Sequence, residues 1–64
     1  MGRYRVTLRY IGTEEENVTY SVYVEANTVA SALETAQRRA KDELNLDVEP
    51  TYAEINSITV TVIG

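Results

Sequence analysis

Cysteine and histidine are both absent, and each absence removes chemistry. Without cysteine there is no disulfide to stiffen a small fold, no thiolate zinc site and no thiol nucleophile. Lack of cysteine is compatible with a reducing compartment. Without histidine the commonest general base near neutral pH is missing. Seryl catalysis would need a base beside Ser21, Ser31 or Ser57, yet the only lysine is Lys41, on a helical stretch. The three glycines stand at Gly2, Gly12 and Gly64, so no glycine-rich phosphate loop exists. No apolar run approaches the roughly 18 residues of a membrane span. Met1-Gly2-Arg3-Tyr4-Arg5 leads into an alternating strand rather than an apolar signal core, and Val6 excludes a myristoylation motif. The expectation is one cytoplasmic domain over residues 1–64, not an enzyme, with no cofactor and no membrane association.

Sixty-four residues sit near the lower limit for a single hydrophobic core. A chain of this size buries only about 60% of the surface its unfolded form exposes, so any site must be a surface patch or shallow groove. The net charge is −4 and is unevenly spread. Residues 1–11 hold Arg3, Arg5 and Arg9 without an acid, whereas residues 12–64 hold three basic and ten acidic residues. The acidic balance argues against general nucleic-acid binding, which depends on neutralising phosphates. The lopsided distribution gives the molecule a field that a partner can sense.

The chain is organised around the stretch from Thr19 to Ala40. Up to Ala26 it alternates with a period of 2. After Asn27-Thr28, Val29, Ala32, Leu33, Ala36 and Ala40 recur at helical spacing, which marks a strand running into a helix. Before this joint a first strand spans roughly Arg3 to Ile11. Tyr4, Val6, Leu8 and Tyr10 share one face, and Arg3, Arg5, Thr7 and Arg9 the other. Such clean alternation suits an antiparallel strand with one wet face. Gly12-Thr13-Glu14-Glu15-Glu16-Asn17 reads as the hairpin loop. Its three glutamates lack the ligand alternation of a dedicated calcium loop, so a solvated turn is expected and no metal site is assigned.

In the second strand Val18, Tyr20, Val22, Val24 and Ala26 face inward. Opposed residue numbers summing to 28 or to 30 both fit the loop, and place Glu25 across from Arg3 or Arg5. Thr28 is the expected N-cap, with Asn27 competing. The helix reaches about Leu44 with an inward stripe of Val29, Ala32, Leu33, Ala36, Ala40 and Leu44. Asn45 is the expected left-handed C-cap, with Leu46 folding back. Asp42, Glu43, Asp47 and Glu49 cluster at the helix end, either as an acidic docking patch or as a soluble terminus.

A third strand is expected over about Glu54 to Ile63. Ile58, Val60 and Val62 should face inward, and Ser57, Thr59 and Thr61 outward. Ile55 is out of phase, which calls for a bulge near Asn56 or a place on the approach to the strand. The order is β-β-α-β, an α+β fold with a three-stranded antiparallel sheet in the order 2-1-3 and the helix on one face. A parallel neighbour for strand two through a right-handed crossover is the alternative. In the preferred order strand three is an uncharged edge that can pair with another chain, a homodimer among the options.

The outward face gathers Arg3, Arg5, Arg9 and Tyr23 with Thr19, Ser21, Thr59 and Thr61. Arginine beside an exposed aromatic is the composition of protein interfaces, and also of sheets on which RNA bases stack. An ordinary wet face with an ion pair to Glu25 is the plainer reading. With one exposed tyrosine expected, the chain reads as a non-catalytic protein-interaction module using Arg3, Arg5, Arg9, Tyr23, Thr59 and Thr61. An RNA- or ribosome-associated module is the alternative.

Tyr20-Ser21-Val22-Tyr23-Val24-Glu25-Ala26-Asn27-Thr28, followed by Ala32-Leu33-Glu34 and Ala36, resembles small phage host-takeover proteins such as the RNA-polymerase inhibitors of T7-like phages. The resemblance spans about 20 residues and is mostly apolar pattern. It implies a β-β-α-β fold and a phage or prophage protein that binds a host protein. The archaeal ribosomal proteins of the LX type show a similar strand-into-helix pattern. This chain departs from both: its last strand has none of the basic residues expected of the inhibitors, and it is acidic where the ribosomal proteins are basic. No residue role carries over.

Overall fold

The computed structural model describes residues 2–12 and 17–58. Strands β1 (Gly2–Tyr10) and β2 (Val18–Ala26) precede the helix α1 (Val29–Leu44) and strand β3 (Tyr52–Ile58). The sheet order is β2-β1-β3, and both pairings of the central strand are antiparallel. This is the expected α+β architecture.

Register follows from the alternation of apolar residues. Arg3 stands opposite Glu25, Val6 opposite Val22 and Tyr10 opposite Val18, so the pairing sums to 28. A slip of one residue would turn every core side chain to water. Gly12, just past β1, has φ +85, a conformation that glycine adopts without a Cβ penalty. Thr28 caps the helix, its hydroxyl accepting from the Ser31 amide at 3.0 Å. Asn45 ends it in the left-handed conformation at φ 58.

The core lies between α1 and the even-numbered faces of β1 and β2. Val6 and Leu8 are fully buried, Tyr10, Val24 and Ala26 nearly so, and Ala32, Ala36 and Ala40 present a closed alanine stripe. Small side chains let the helix axis approach the sheet, and the strands supply the bulk. Leu33, Tyr4, Tyr20 and Ile55 pack around this centre, half-buried.

Two residues of the expected stripe are corrected. Val29 and Leu44 are exposed. Val29 lies two turns before Ala36, on the sheet-facing side, but it is the first residue of the helix and remains 53% exposed. Two turns after Ala36 comes Glu43 rather than Leu44, so at the helix end the inward position belongs to a carboxylate.

The largest correction concerns β3. It begins at Tyr52, and its register with β1 is unbroken, without a bulge. Ile55 stands opposite the fully buried Val6 and faces inward, as do Ala53 opposite Leu8 and Ser57 opposite Tyr4. Ile58 stands opposite Arg3, on the outer face. The expected phase, Ile58 in and Ser57 out, is therefore inverted. Ile55 sets the phase because it is the apolar side chain that reaches the core beside Val6. Thr51 starts the strand by donating its amide to the Arg9 carbonyl at 2.8 Å, while its hydroxyl accepts from the Ile11 amide at 3.1 Å. Thr59, Val60, Thr61 and Val62, and the glutamates of the hairpin loop, lie outside the described residues.

Candidate functional site

The odd-numbered residues of β1 and β2 and the even-numbered residues of β3 form one uncovered sheet face. Four cross-strand rows make it up. They are Glu25–Arg3–Ile58, Tyr23–Arg5–Asn56, Ser21–Thr7–Glu54 and Thr19–Arg9–Tyr52. The helix covers the opposite face, so nothing among the described residues lies over these rows.

The arginines differ in their surroundings. Arg3 is paired, its guanidinium 3.3 Å from Glu25 with both side chains more than half exposed, a contact worth about 0.2–1 kcal/mol. Arg5 and Arg9 have no carboxylate partner among the described residues. Each is flanked in register by an exposed tyrosine, Arg5 by Tyr23 and Arg9 by Tyr52. Between these two rows the Thr7 and Ser21 hydroxyls share a 3.1 Å hydrogen bond. Four residues along β1 separate the two arginines by about 13 Å.

Around Arg9 the face is concave. A shallow depression of about 420 Å³ is lined by Thr7, Arg9, Ile11, Thr19, Tyr52 and Glu54. Ile11 and Tyr52 are roughly half exposed and supply apolar surface, while Arg9 and Glu54 supply opposite charges. A buried apolar contact beside an arginine fork is the chemistry of an interface anchor.

Of the site residues expected from the sequence, Arg3, Arg5, Arg9 and Tyr23 share the outer face. Thr59 and Thr61 lie outside the described residues. Sequence reasoning misses Tyr52, because the strand it expects begins at Glu54, whereas β3 begins at Tyr52. The signal was present: Tyr52, Glu54 and Asn56 alternate with Ala53, Ile55 and Ser57, and only the first set is polar or amphipathic. Ile11, expected at the end of the first strand, lies just past β1 as an exposed rim residue.

On the covered side, the Tyr20 hydroxyl donates to a Glu43 carboxylate oxygen. Burial, and then the adjacent carboxylate, push the Tyr20 pKa up to about 12. Burial also raises that of Tyr10. The hydrogen bond ties the helix end to β2 and gives Glu43 a structural partner. Asp47 is engaged too, 3.3 Å from Lys41. The acidic cluster at the helix end is thus partly occupied by internal contacts. Among the described residues no group of acidic side chains is arranged to hold a metal ion, and no helix is long and apolar enough to cross a membrane.

No protein-family model, curated protein or solved structure matches this chain. Every assignment of role therefore rests on its own residues.

Proposed function

We propose that this chain is a small non-catalytic protein-interaction module of the cytoplasm, one that engages its partner through the outer sheet face. The observation that carries the reading is the pair of arginines on the central strand that have no carboxylate partner among the described residues, each beside an exposed tyrosine. Arginine and tyrosine are enriched where interfaces draw most of their energy. Among the described residues nothing covers this face, because the one helix packs on the other side. The outer edge of β3 adds a route to self-association, since Ala53, Glu54, Asn56 and Ser57 are exposed beside a backbone edge that is unpaired among the described residues.

Tyr52 favours a second reading. Two exposed tyrosines and two arginines without an ion-pair partner among the described residues, all on one sheet face, also suit the stacking of single-stranded RNA bases. The same face carries Glu25 and Glu54, and the chain is acidic, which places the protein partner first.

The test is a photo-crosslinking amino acid placed at Tyr52 and, as control, at the exposed Ala30 of α1. A single protein should be crosslinked from position 52, not from position 30, and lost when Arg5 and Arg9 become alanine. Crosslinking to RNA, weakened steeply by salt, would promote the second reading. Equal crosslinking from both positions would remove the outer face from consideration.

A further inference from the structure

The two edges of the sheet have different surroundings. Beside β2, a cleft of about 360 Å³ is lined by Arg3, Tyr23, Val24, Glu25, Thr35 and Arg39. Tyr23, Val24 and Glu25 are consecutive, so one wall of the cleft is the backbone edge of β2. Among the described residues that strand pairs with β1 alone, and its other edge is open. The facing wall belongs to α1.

Charge complementarity selects what can lie there. Arg39 is exposed and has no carboxylate within ion-pair distance among the described residues. Glu43, one turn further along α1, is already held by the Tyr20 hydroxyl. Arg3 answers Glu25 within the cleft, and Arg39 makes no direct ion pair among the described residues, although Asp42 and Glu43 follow it within one turn of α1. Thr35 donates its hydroxyl to the Ser31 carbonyl at 2.9 Å and keeps its oxygen as an acceptor. Around β3 the charges run the other way. Glu54 stands on the strand, Asp47 and Glu49 lie in the segment leading to it, and Lys41 is committed to Asp47.

We propose that the groove between β2 and α1 takes an extended peptide of a partner protein, which pairs with the open β2 edge and sets one carboxylate on Arg39. Strand addition supplies affinity through backbone hydrogen bonds, and side-chain pockets supply selection. A guanidinium fork recognises a carboxylate better than a neutral amide. Screening confines this attraction to roughly 8 Å, so a single well-placed acid is selected even though the chain as a whole is acidic. The proposal rests on the reading of the chain as a protein-interaction module, but it uses a surface separate from the Arg9–Tyr52 depression.

The experiment uses the intact chain with end-blocked peptides of about nine residues, the length of β2. These alternate threonine and valine, with glutamate, glutamine or lysine at the centre. Amide shifts and hydrogen exchange are read by NMR during titration. The glutamate peptide is expected to shift and protect alternate β2 amides and to bind about tenfold more tightly than the glutamine peptide. The lysine peptide is expected to bind more weakly still. Arg39→Gln, at an exposed helix position, should remove the advantage of glutamate, so that the glutamate and glutamine peptides bind with equal affinity. Arg39→Lys should restore part of it.

Equal affinity of the three peptides, or protection that appears on β3, would overturn the proposal. So would β2 protection that rises with protein concentration in the absence of peptide, which would mean that a second copy occupies the edge. Arg39→Gln leaves Arg5, Arg9 and Tyr52 untouched. Failure of the glutamate peptide to bind the unaltered chain, with crosslinking from position 52 intact, therefore rejects this groove alone, and failure of both rejects the broader reading.

Discussion

The two faces of one sheet are separated by a single step along each strand, and they do different work. On β1, Val6 and Leu8 are sealed under the alanine stripe of α1, while Arg5, Thr7 and Arg9 between and beside them meet solvent. The covered face has little tolerance, because its side chains interlock at crystal-like density. The outer face holds only weak mutual contacts, so its residues can be chosen for recognition without threatening the fold. In a domain this small the division matters. A marginal core has no stability to give up to a binding site built inside it.

Breaking the covered face should have the largest effect. Leu8→Ala is expected to destabilise by about 2–5 kcal/mol, and Ala36→Leu by about 1–3 kcal/mol through overpacking against the sheet. Chemical denaturation followed by circular dichroism reads both. For a single domain of this size either loss takes a large part of the total.

The inverted phase of β3 offers a sharper cut. Ile55→Ala should cost about 2 kcal/mol, and Ile58→Ala about 1 kcal/mol or less, since Ile55 opposes Val6 and Ile58 opposes the exposed Arg3. The reverse ranking would restore the phase read from the sequence alone.

The Tyr20–Glu43 contact marks where the covered face ends, and pH probes it. The Tyr20 pKa is raised in the folded chain from 10.0 to about 12. A raised value favours the protonated folded state, so this contribution is complete below pH 10 and is lost as pH climbs through 12. Tyr20→Phe should cost about 1 kcal/mol at neutral pH and flatten the alkaline decline. An unchanged decline would place its source elsewhere, Tyr10 being the other tyrosine that burial shifts upward.

The smallest effect belongs to the outer face. A double-mutant cycle on Arg3 and Glu25 should return a coupling of about 0.2–1 kcal/mol that fades as salt is raised.

Much of the fold was legible because local signals agreed with one another. The switch of period at Asn27-Thr28, the cap at Thr28, the left-handed Asn45 and the parity of β1 and β2 all follow from residues acting over a few positions. The sheet order followed from the polar alternation of the last strand. What the sequence concealed was non-local. In the 52–63 stretch both parities contain β-branched residues, so the pattern admits two phases, and only the match of Ile55 with Val6 chooses. That choice also decides Tyr52, and with it half of the proposed site. Leu44 misled for a related reason. Its hydrophobicity suggested burial, but helix geometry assigns the inward position to Glu43, where Tyr20 waits.

The most direct test of the account compares stability and binding in one variant, Arg5→Ala/Arg9→Ala/Tyr52→Ala. All three residues lie on the outer face and are exposed. The expected result is an unfolding free energy within about 0.5 kcal/mol per substitution of that of the unaltered chain, together with loss of the partner crosslinked from the outer face. An unfolded variant would mean that the face is structural after all. A folded variant that still holds its partner, crosslinked from another position, would contradict the central claim.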